Sequence, residues 1–99
     1  MYIPLKSIIS SGIPLAAGSD CPIDDPDPFV GIQDSVLREE FVPEEAISVH
    51  DALKTYTINA AYAAFEEDVK GSIEEGKLAD MIILDKNPLD VPKDQIKDI

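Results

Sequence analysis

The sequence has few basic residues, one cysteine and no long apolar run. Its 8 Lys and Arg residues stand against 20 Asp and Glu residues, which gives a net charge of −12. That charge repels nucleic-acid phosphates and anionic lipid headgroups, so we expect neither nucleic acid nor a membrane as a partner. No apolar segment approaches the ~18 residues of a membrane-spanning helix, and the N-terminal residues contain no legible targeting signal. Because Cys21 is the only cysteine, an internal disulfide is excluded. A single cysteine fits a reducing compartment, so the default expectation is a cytoplasmic protein.

The length of the chain limits its architecture. At 99 residues it suits one small domain, which buries roughly 65% of its unfolded surface. Two domains with separate cores are not expected, and the chain is short for an enzyme that needs a deep pocket.

Apolar spacing predicts three helices. Ile3, Leu5, Ile8 and Ile9 are spaced as one face of a short helix that ends near Gly12. Asp27 and Pro28 form an N-cap and first-turn pair for a second helix, which is expected to end before Pro43. The stretch "ISVHDALKTYTINAAYAAFEED" predicts one amphipathic helix, with Ser48 and Asp51 approximating a capping box and with an alanine-rich face that lets a neighbour approach closely.

Two short apolar runs predict strands. "IPLAAG", residues 13–18, is apolar throughout and bounded by glycines, as is typical of a strand covered on both faces in a parallel sheet. "MIIL", residues 81–84, follows two glycine turns, and a Pro-initiated helical turn comes after it. Neither run has a partner strand in the chain, and isolated strands are not stable. Either strands from elsewhere complete a sheet, or these strand assignments are wrong.

The stretch "GSDCPIDDPDPF", residues 18–29, concentrates four aspartates and three prolines directly after the first apolar run. A calcium loop would need a D-x-[DN]-x-[DN]-G pattern, which the prolines and the missing central glycine exclude. Turn and N-cap roles suffice for Asp24, Asp25 and Asp27. Asp20 taken alone is also most simply a turn residue.

Three stretches, "IPLAAGSDCP", "ALKTYTINAAYA" and "GSIEEGKLADMIILDKNPL", together resemble the C-terminal portion of the amidohydrolase superfamily, specifically amidohydrolase family 3. The match runs over nearly the whole chain, and the G-S-[IL]-E-x-G-K-x-A-D element is its most specific part. The resemblance implies an α/β fold: the C-terminal part of a (β/α)₈ metal-dependent hydrolase barrel, leading into a small composite β-sandwich domain. Residues 1–68 would supply the last barrel strand and helices, and residues 69–99 the return segment to the sandwich.

The resemblance also gives Asp20 a role. "IPLAAGSD" would be the eighth barrel strand, with Asp20 at its carboxyl end, where barrel enzymes place catalytic groups. In the family, an aspartate at this position ligates a divalent metal or lies beside it, and it exchanges a proton with the attacking water. Asp20 is therefore the predicted catalytic residue and the predicted metal ligand, and zinc is the expected metal in the full-length parent.

The sequence departs from the family in its histidines. Family members carry a His-x-His pair and further histidines upstream of the eighth strand, whereas this chain has only His50, in the first turn of the alanine-rich helix. We assign His50 no catalytic role, and Cys21, which has no histidine base near it, is expected to be a small buried or semi-buried residue. Asp80 resembles the family's structural aspartate at the start of a sandwich strand. The chain is expected to begin within the last barrel repeats, and no tightly bound metal is expected on it.

These observations leave three hypotheses. The leading one is the C-terminal portion of an amidohydrolase that hydrolyses C–N bonds in small amide or cyclic amide substrates, with the isolated chain inactive. The second is a self-standing noncatalytic interaction module that self-associates to cover its apolar runs. In the third, a separate chain supplies the missing barrel.

Overall fold

The computed structural model describes residues 3–38 and 41–99. Its elements in chain order are four α-helices and two 3₁₀ helices: α1 (Leu5–Ser10), α2 (Pro28–Leu37), a first 3₁₀ helix (Pro43–Glu45), α3 (Val49–Tyr56), α4 (Ile58–Ala63) and a C-terminal 3₁₀ helix (Lys93–Asp98). No helix among the described residues is both long enough and apolar enough to cross a membrane.

Helix α2 begins as its sequence predicts. The Asp27 carboxylate accepts a hydrogen bond from the Phe29 N–H at 2.9 Å, and Pro28 occupies the first turn, where its missing N–H costs nothing. The helix ends at Leu37, well before Pro43, because Arg38 adopts a left-handed conformation with φ 44°. Both predicted features of this helix are confirmed.

The core lies where α2, α3 and the C-terminal 3₁₀ helix meet. Its buried residues are Ile32, Val36, Ile47, Ala52 and Ile96. Ile96 is fully buried, so the Pro-initiated turn predicted near the end of the chain is confirmed and contributes to the core. Gln33 of α2 strengthens this contact, since its side-chain oxygen accepts the Lys97 N–H at 2.9 Å.

The prediction of one continuous helix over residues 47–68 is wrong. The Ser48 cap is confirmed, because its hydroxyl accepts the Asp51 N–H at 3.0 Å. The helix then breaks at Thr57, whose backbone has φ −122° and ψ −100°. The Thr57 hydroxyl donates to the Leu53 carbonyl at 2.9 Å, a local bond that competes with the helical ladder. Helix α4 ends at Ala63, just before Phe65 with φ 59°.

Neither predicted strand is present, since residues 3–38 and 41–99 contain no β-strand. The first run, 13–18, instead bonds to helical groups: the Ala17 N–H donates to the Thr55 carbonyl at 3.1 Å. For the second run, the described residues show no backbone–backbone hydrogen bond to any residue from 79 to 86. A strand exists only when a neighbour pairs with its backbone, and here no neighbouring strand is present. The predicted barrel and sandwich sheets are therefore not observed.

The G-S-I-E-E-G-K stretch folds as a closed polar turn. Gly71 and Gly76 both have positive φ, 100° and 90°. Between them, Ser72 donates to the Glu74 carboxylate, and Lys77 bonds the Ser72 hydroxyl at 2.8 Å and pairs with Glu74 at 3.0 Å. The Ser72 hydrogen bond, followed by Lys77, holds the pKa of the Glu74 carboxyl below its ordinary value. This motif therefore has a structural explanation in its own hydrogen bonds.

Candidate functional site

Asp20 lies at the end of the segment 13–19, at the start of a turn. It has φ 53°, a left-handed conformation that aspartate tolerates better than most residues, and its side chain is exposed. Its backbone carbonyl accepts the Ile23 N–H at 2.9 Å, which closes the turn. Within the described residues no hydrogen bond or ion pair engages the Asp20 carboxylate, so that carboxylate is open to solvent and to any partner.

Turn and capping roles were predicted for Asp24, Asp25 and Asp27, and the structure shows them for Asp25 and Asp27. The Asp25 carboxylate accepts the Asp27 N–H at 2.9 Å, and Asp27 caps α2. Asp24 lines a cleft that borders the loop. Asp25 and Asp27 therefore stabilise the start of α2, and Asp24 borders the cleft.

The resemblance noted in the sequence implies a metal, and the residues that the structure describes do not fit one. Among residues 3–38 and 41–99, no group of three or more His, Cys, Asp or Glu side chains could hold a metal ion. A protein zinc site takes at least three protein ligands, and Asp20 could supply at most one. His50 is exposed in the first turn of α3 and belongs to no such group. No metal-assisted step can be derived from these side chains alone.

Cys21 departs from its prediction. Its side chain is exposed, not buried or semi-buried, because the turn that begins at Asp20 carries it away from the helical core. The neighbouring Ser19 hydroxyl accepts the Cys21 N–H at 3.2 Å. Asp80, the predicted structural aspartate, is exposed as well.

A cleft of about 700 Å³ lies between the segment 15–18 and α2, with Tyr56 and Asp24 among its lining residues. Burial raises the pKa of the Tyr56 phenol, and the negative charges of Asp34 and Asp24 raise it further. Tyr56 packs directly over Gly31: a Cβ atom built at Gly31 would collide with the phenol oxygen. The spacing of the sequence placed Tyr56 on a helix face but carried no signal of this contact, since the two residues are far apart in the chain.

Comparison with known proteins identifies the family. The family model described as "Amidohydrolase family" matches residues 1–99. The chain is 32% identical over 101 residues to N-substituted formamide deformylase of Arthrobacter pascens, an alignment that covers 97% of this chain and 19% of that protein. The chain belongs to the amidohydrolase family.

Two solved structures resemble the fold as well as the sequence. An uncharacterized metal-dependent hydrolase from Pyrococcus furiosus matches with a TM-score of 0.77 and 40% identity, over 87% of this chain and 18% of that one. A second, from Pyrococcus horikoshii OT3, matches with a TM-score of 0.80 and 28% identity, over 92% and 20%. The chain spans about a fifth of the length of the curated relatives it matches.

Proposed function

We propose that this chain is the C-terminal portion of a metal-dependent amidohydrolase that hydrolyses C–N bonds in small amide or cyclic amide substrates. The family match over residues 1–99 carries the proposal, together with the small share of the relatives' length that the chain spans. In this proposal residues 1–68 belong to a (β/α)₈ barrel, and residues 69–99 lead into a small β-sandwich. The name of the Arthrobacter relative, a formamide deformylase, supports a C–N bond as the target.

The proposal explains the two runs that failed to form strands. Residues 13–18 and 81–84 would be strands whose neighbours are supplied by the rest of the parent protein. Their exposure supports this assignment: Ile13 is 56% exposed and Ile83 is 98% exposed, although both are strongly apolar. Isolated apolar residues on a surface are ordinary, but two apolar runs in which most residues are exposed indicate a missing neighbour.

Asp20 is the group that this chain would contribute to the parent's active site, as a metal ligand and as the carboxylate that exchanges a proton during hydrolysis. Its place at the end of residues 13–19 supports this role, because barrel enzymes gather their catalytic groups at the carboxyl ends of strands. The other ligands would come from parent residues outside this sequence, and zinc is the metal we favour. By the same reasoning the 99-residue chain alone is inactive.

The coding sequence upstream of Met1 provides the test. We expect an in-frame extension of a few hundred residues that contains a His-x-His pair. The extended protein should hydrolyse N-substituted formamides or cyclic amides, and Asp20→Asn should lower kcat by about 10²–10⁴-fold, the range typical of a lost acid–base group. Asp25→Asn is the matched control, since asparagine can still accept the Asp27 N–H. An extended protein whose kcat is equal in the Asp20→Asn and Asp25→Asn variants would contradict the assignment.

The exposed apolar side chains favour one alternative, a noncatalytic module that associates with itself. Phe65 is 93% exposed and Ile83 is 98% exposed, so a second copy could cover them. Analytical ultracentrifugation of the 99-residue chain separates the two cases. A concentration-dependent, homogeneous dimer supports the module, whereas a stable and well-dispersed monomer counts against it.

If a separate chain supplies the barrel, an adjacent reading frame should contain the histidine pair.

A further inference from the structure

Residues 15–17, which precede Asp20 in the chain, are held by hydrogen bonds to the end of α3 and the start of α4. The Asn59 side-chain amide donates to the Leu15 carbonyl at 3.1 Å. The Ala17 N–H donates to the Thr55 carbonyl at 3.1 Å. These two hydrogen bonds, called the clamp from here on, hold the segment at positions two residues apart. One uses the Leu15 carbonyl as acceptor and the other the Ala17 N–H as donor.

The helix break explains why the second bond is available. Carbonyls in the last turn of a helix have no intrahelical N–H to accept from, and α3 ends at Tyr56. The irregular backbone at Thr57 therefore leaves the Thr55 carbonyl to a partner outside the helix. The same break starts a new helix at Ile58, which places Asn59 in the first turn of α4, beside the segment. A continuous helix over residues 49–63 would have used the Thr55 carbonyl in its own ladder.

The clamp is close to Asp20 in the chain. Only Gly18 and Ser19 lie between Ala17 and Asp20. The Asp20 carbonyl is itself tied into a turn by the Ile23 N–H at 2.9 Å. Rotation of the segment about the clamp would therefore move the Asp20 carboxylate. The Asn59 side chain is half-buried, so its bond is partly shielded from competing water.

We propose that Asn59 is a positioning residue: its amide, with the Thr55 carbonyl freed at the Thr57 break, fixes residues 15–17 and so sets where Asp20 lies. The existence of the clamp stands on its own contacts, whereas its importance for catalysis rests on the proposed function. Asn59 would contact neither substrate nor metal.

The test is amide hydrogen exchange by NMR on the 99-residue chain, with Asn59→Asp as the variant. The aspartate is nearly isosteric but has no N–H to donate, so it removes the bond to Leu15 and places a negative charge beside a carbonyl. We expect exchange at the Ala17 amide to accelerate about five- to tenfold, the effect of one lost hydrogen bond, and the resonances of residues 15–20 to shift. Exchange at Ile32, in the core, should stay unchanged.

Asn87→Asp is the matched control. The Asn87 side-chain amide also donates a hydrogen bond, to the Asp90 carboxylate at 3.0 Å. Among the described residues no hydrogen bond joins this turn to residues 15–17. Equal Ala17 exchange rates in the Asn59→Asp and Asn87→Asp variants would overturn the proposal. If Asn59→Asp unfolds the whole chain, the wild-type side chain decides the matter: slowed exchange of the Asn59 amide protons supports the clamp, and exchange as fast as that of a free asparagine overturns it.

Failure of the clamp and failure of the proposed function are distinguishable. The exchange experiment needs no activity, so an inactive extended protein with an intact clamp contradicts only the proposed function. In an active extended protein, Asn59→Asp should lower kcat more than it changes KM, and it should cost nothing further in an Asp20→Asn background. Full additivity of the two substitutions would show that Asn59 does not act through Asp20.

Discussion

The helical core and the two apolar runs contain similar residues in opposite environments. Ile32 and Ile96 are 2% and 0% exposed, whereas Ile82 and Ile83 are 75% and 98% exposed. The difference follows from where each element finds its hydrogen bonds. A helix satisfies its backbone within itself, so α2 and α3 form and then bury an apolar face against each other. A strand satisfies its backbone only through a neighbour, and the described part of the chain offers residues 13–18 and 81–84 no neighbouring strand.

The largest predicted difference is between the effects of an isoleucine-to-alanine substitution in the helical core and in the run 81–84. Ile96→Ala leaves a cavity at a fully buried site and should lower the free energy of unfolding by about 2–5 kcal/mol. Ile83→Ala removes a side chain that is 98% exposed and should change it by less than about 0.5 kcal/mol. Urea denaturation measures both. Equal losses of unfolding free energy would mean that residues 81–84 are buried in solution, contrary to the exposure described above.

A smaller effect is expected at Gly71, which lies between the helical core and the apolar run 81–84 in the chain. Gly71 packs over α4: a Cβ atom there would lie 2.8 Å from Ala61 Cβ and 3.0 Å from Ile58 Cα. Gly76 has a similar positive φ but open space around it. Gly76→Ala should therefore cost about 1 kcal/mol for its backbone conformation, and Gly71→Ala about 1–3 kcal/mol more for overpacking. Thermal unfolding followed by circular dichroism ranks the two, and indistinguishable midpoints would argue against the close approach.

The smallest effect concerns the attachment of α1 to the core. The buried Glu45 carboxylate accepts the Ser7 hydroxyl at 2.6 Å and the Ser7 N–H at 2.8 Å. The Ser7 hydroxyl, and then the Ser7 N–H, hold the pKa of Glu45 below its ordinary value of 4.5. Because folding lowers this pKa, the stabilisation is complete above pH 4.5 and is lost as the pH falls through the lower pKa of the folded chain.

Glu45→Gln should therefore flatten the decline of stability below pH 4.5, the ordinary carboxyl value. The exposed neighbour provides the control, since Glu44→Gln should keep the wild-type slope. Urea midpoints measured at a series of acidic pH values give both slopes. A wild-type slope in the Glu45→Gln variant would show that this contact does not contribute to acid sensitivity.

Local signals in the sequence were sufficient for most helix boundaries. The cap at Asp27, the proline at position 28 and the cap at Ser48 are decided by neighbouring residues, and each is observed. The break at Thr57 was not predictable from spacing, because the apolar period continues across it. It coincides with a local hydroxyl bond from Thr57 to the Leu53 carbonyl. The Thr55 carbonyl that it leaves free accepts the Ala17 N–H, from a distant part of the chain.

The strands were predicted from their apolar composition. That composition indicates a segment buried in a sheet, but it does not show whether a neighbouring strand is present. The apolar character of residues 13–18 and 81–84 is consistent with the proposed parent, and their backbone has no partner strand within the residues that the structure describes. For the site, the prediction of Asp20 came from the resemblance of the sequence to the family. The contacts of Tyr56 with Gly31 and of Asn59 with Leu15 depend on the folded arrangement and had no pattern to reveal them.

The central claim is that this chain contributes one ligand, Asp20, to a metal site that it cannot complete. Isothermal titration calorimetry of the metal-free 99-residue chain with zinc tests this claim most directly. We expect no stoichiometric zinc binding, and no difference in zinc binding between the wild type and Asp20→Asn. Tight one-to-one zinc binding that is lost in Asp20→Asn would contradict it.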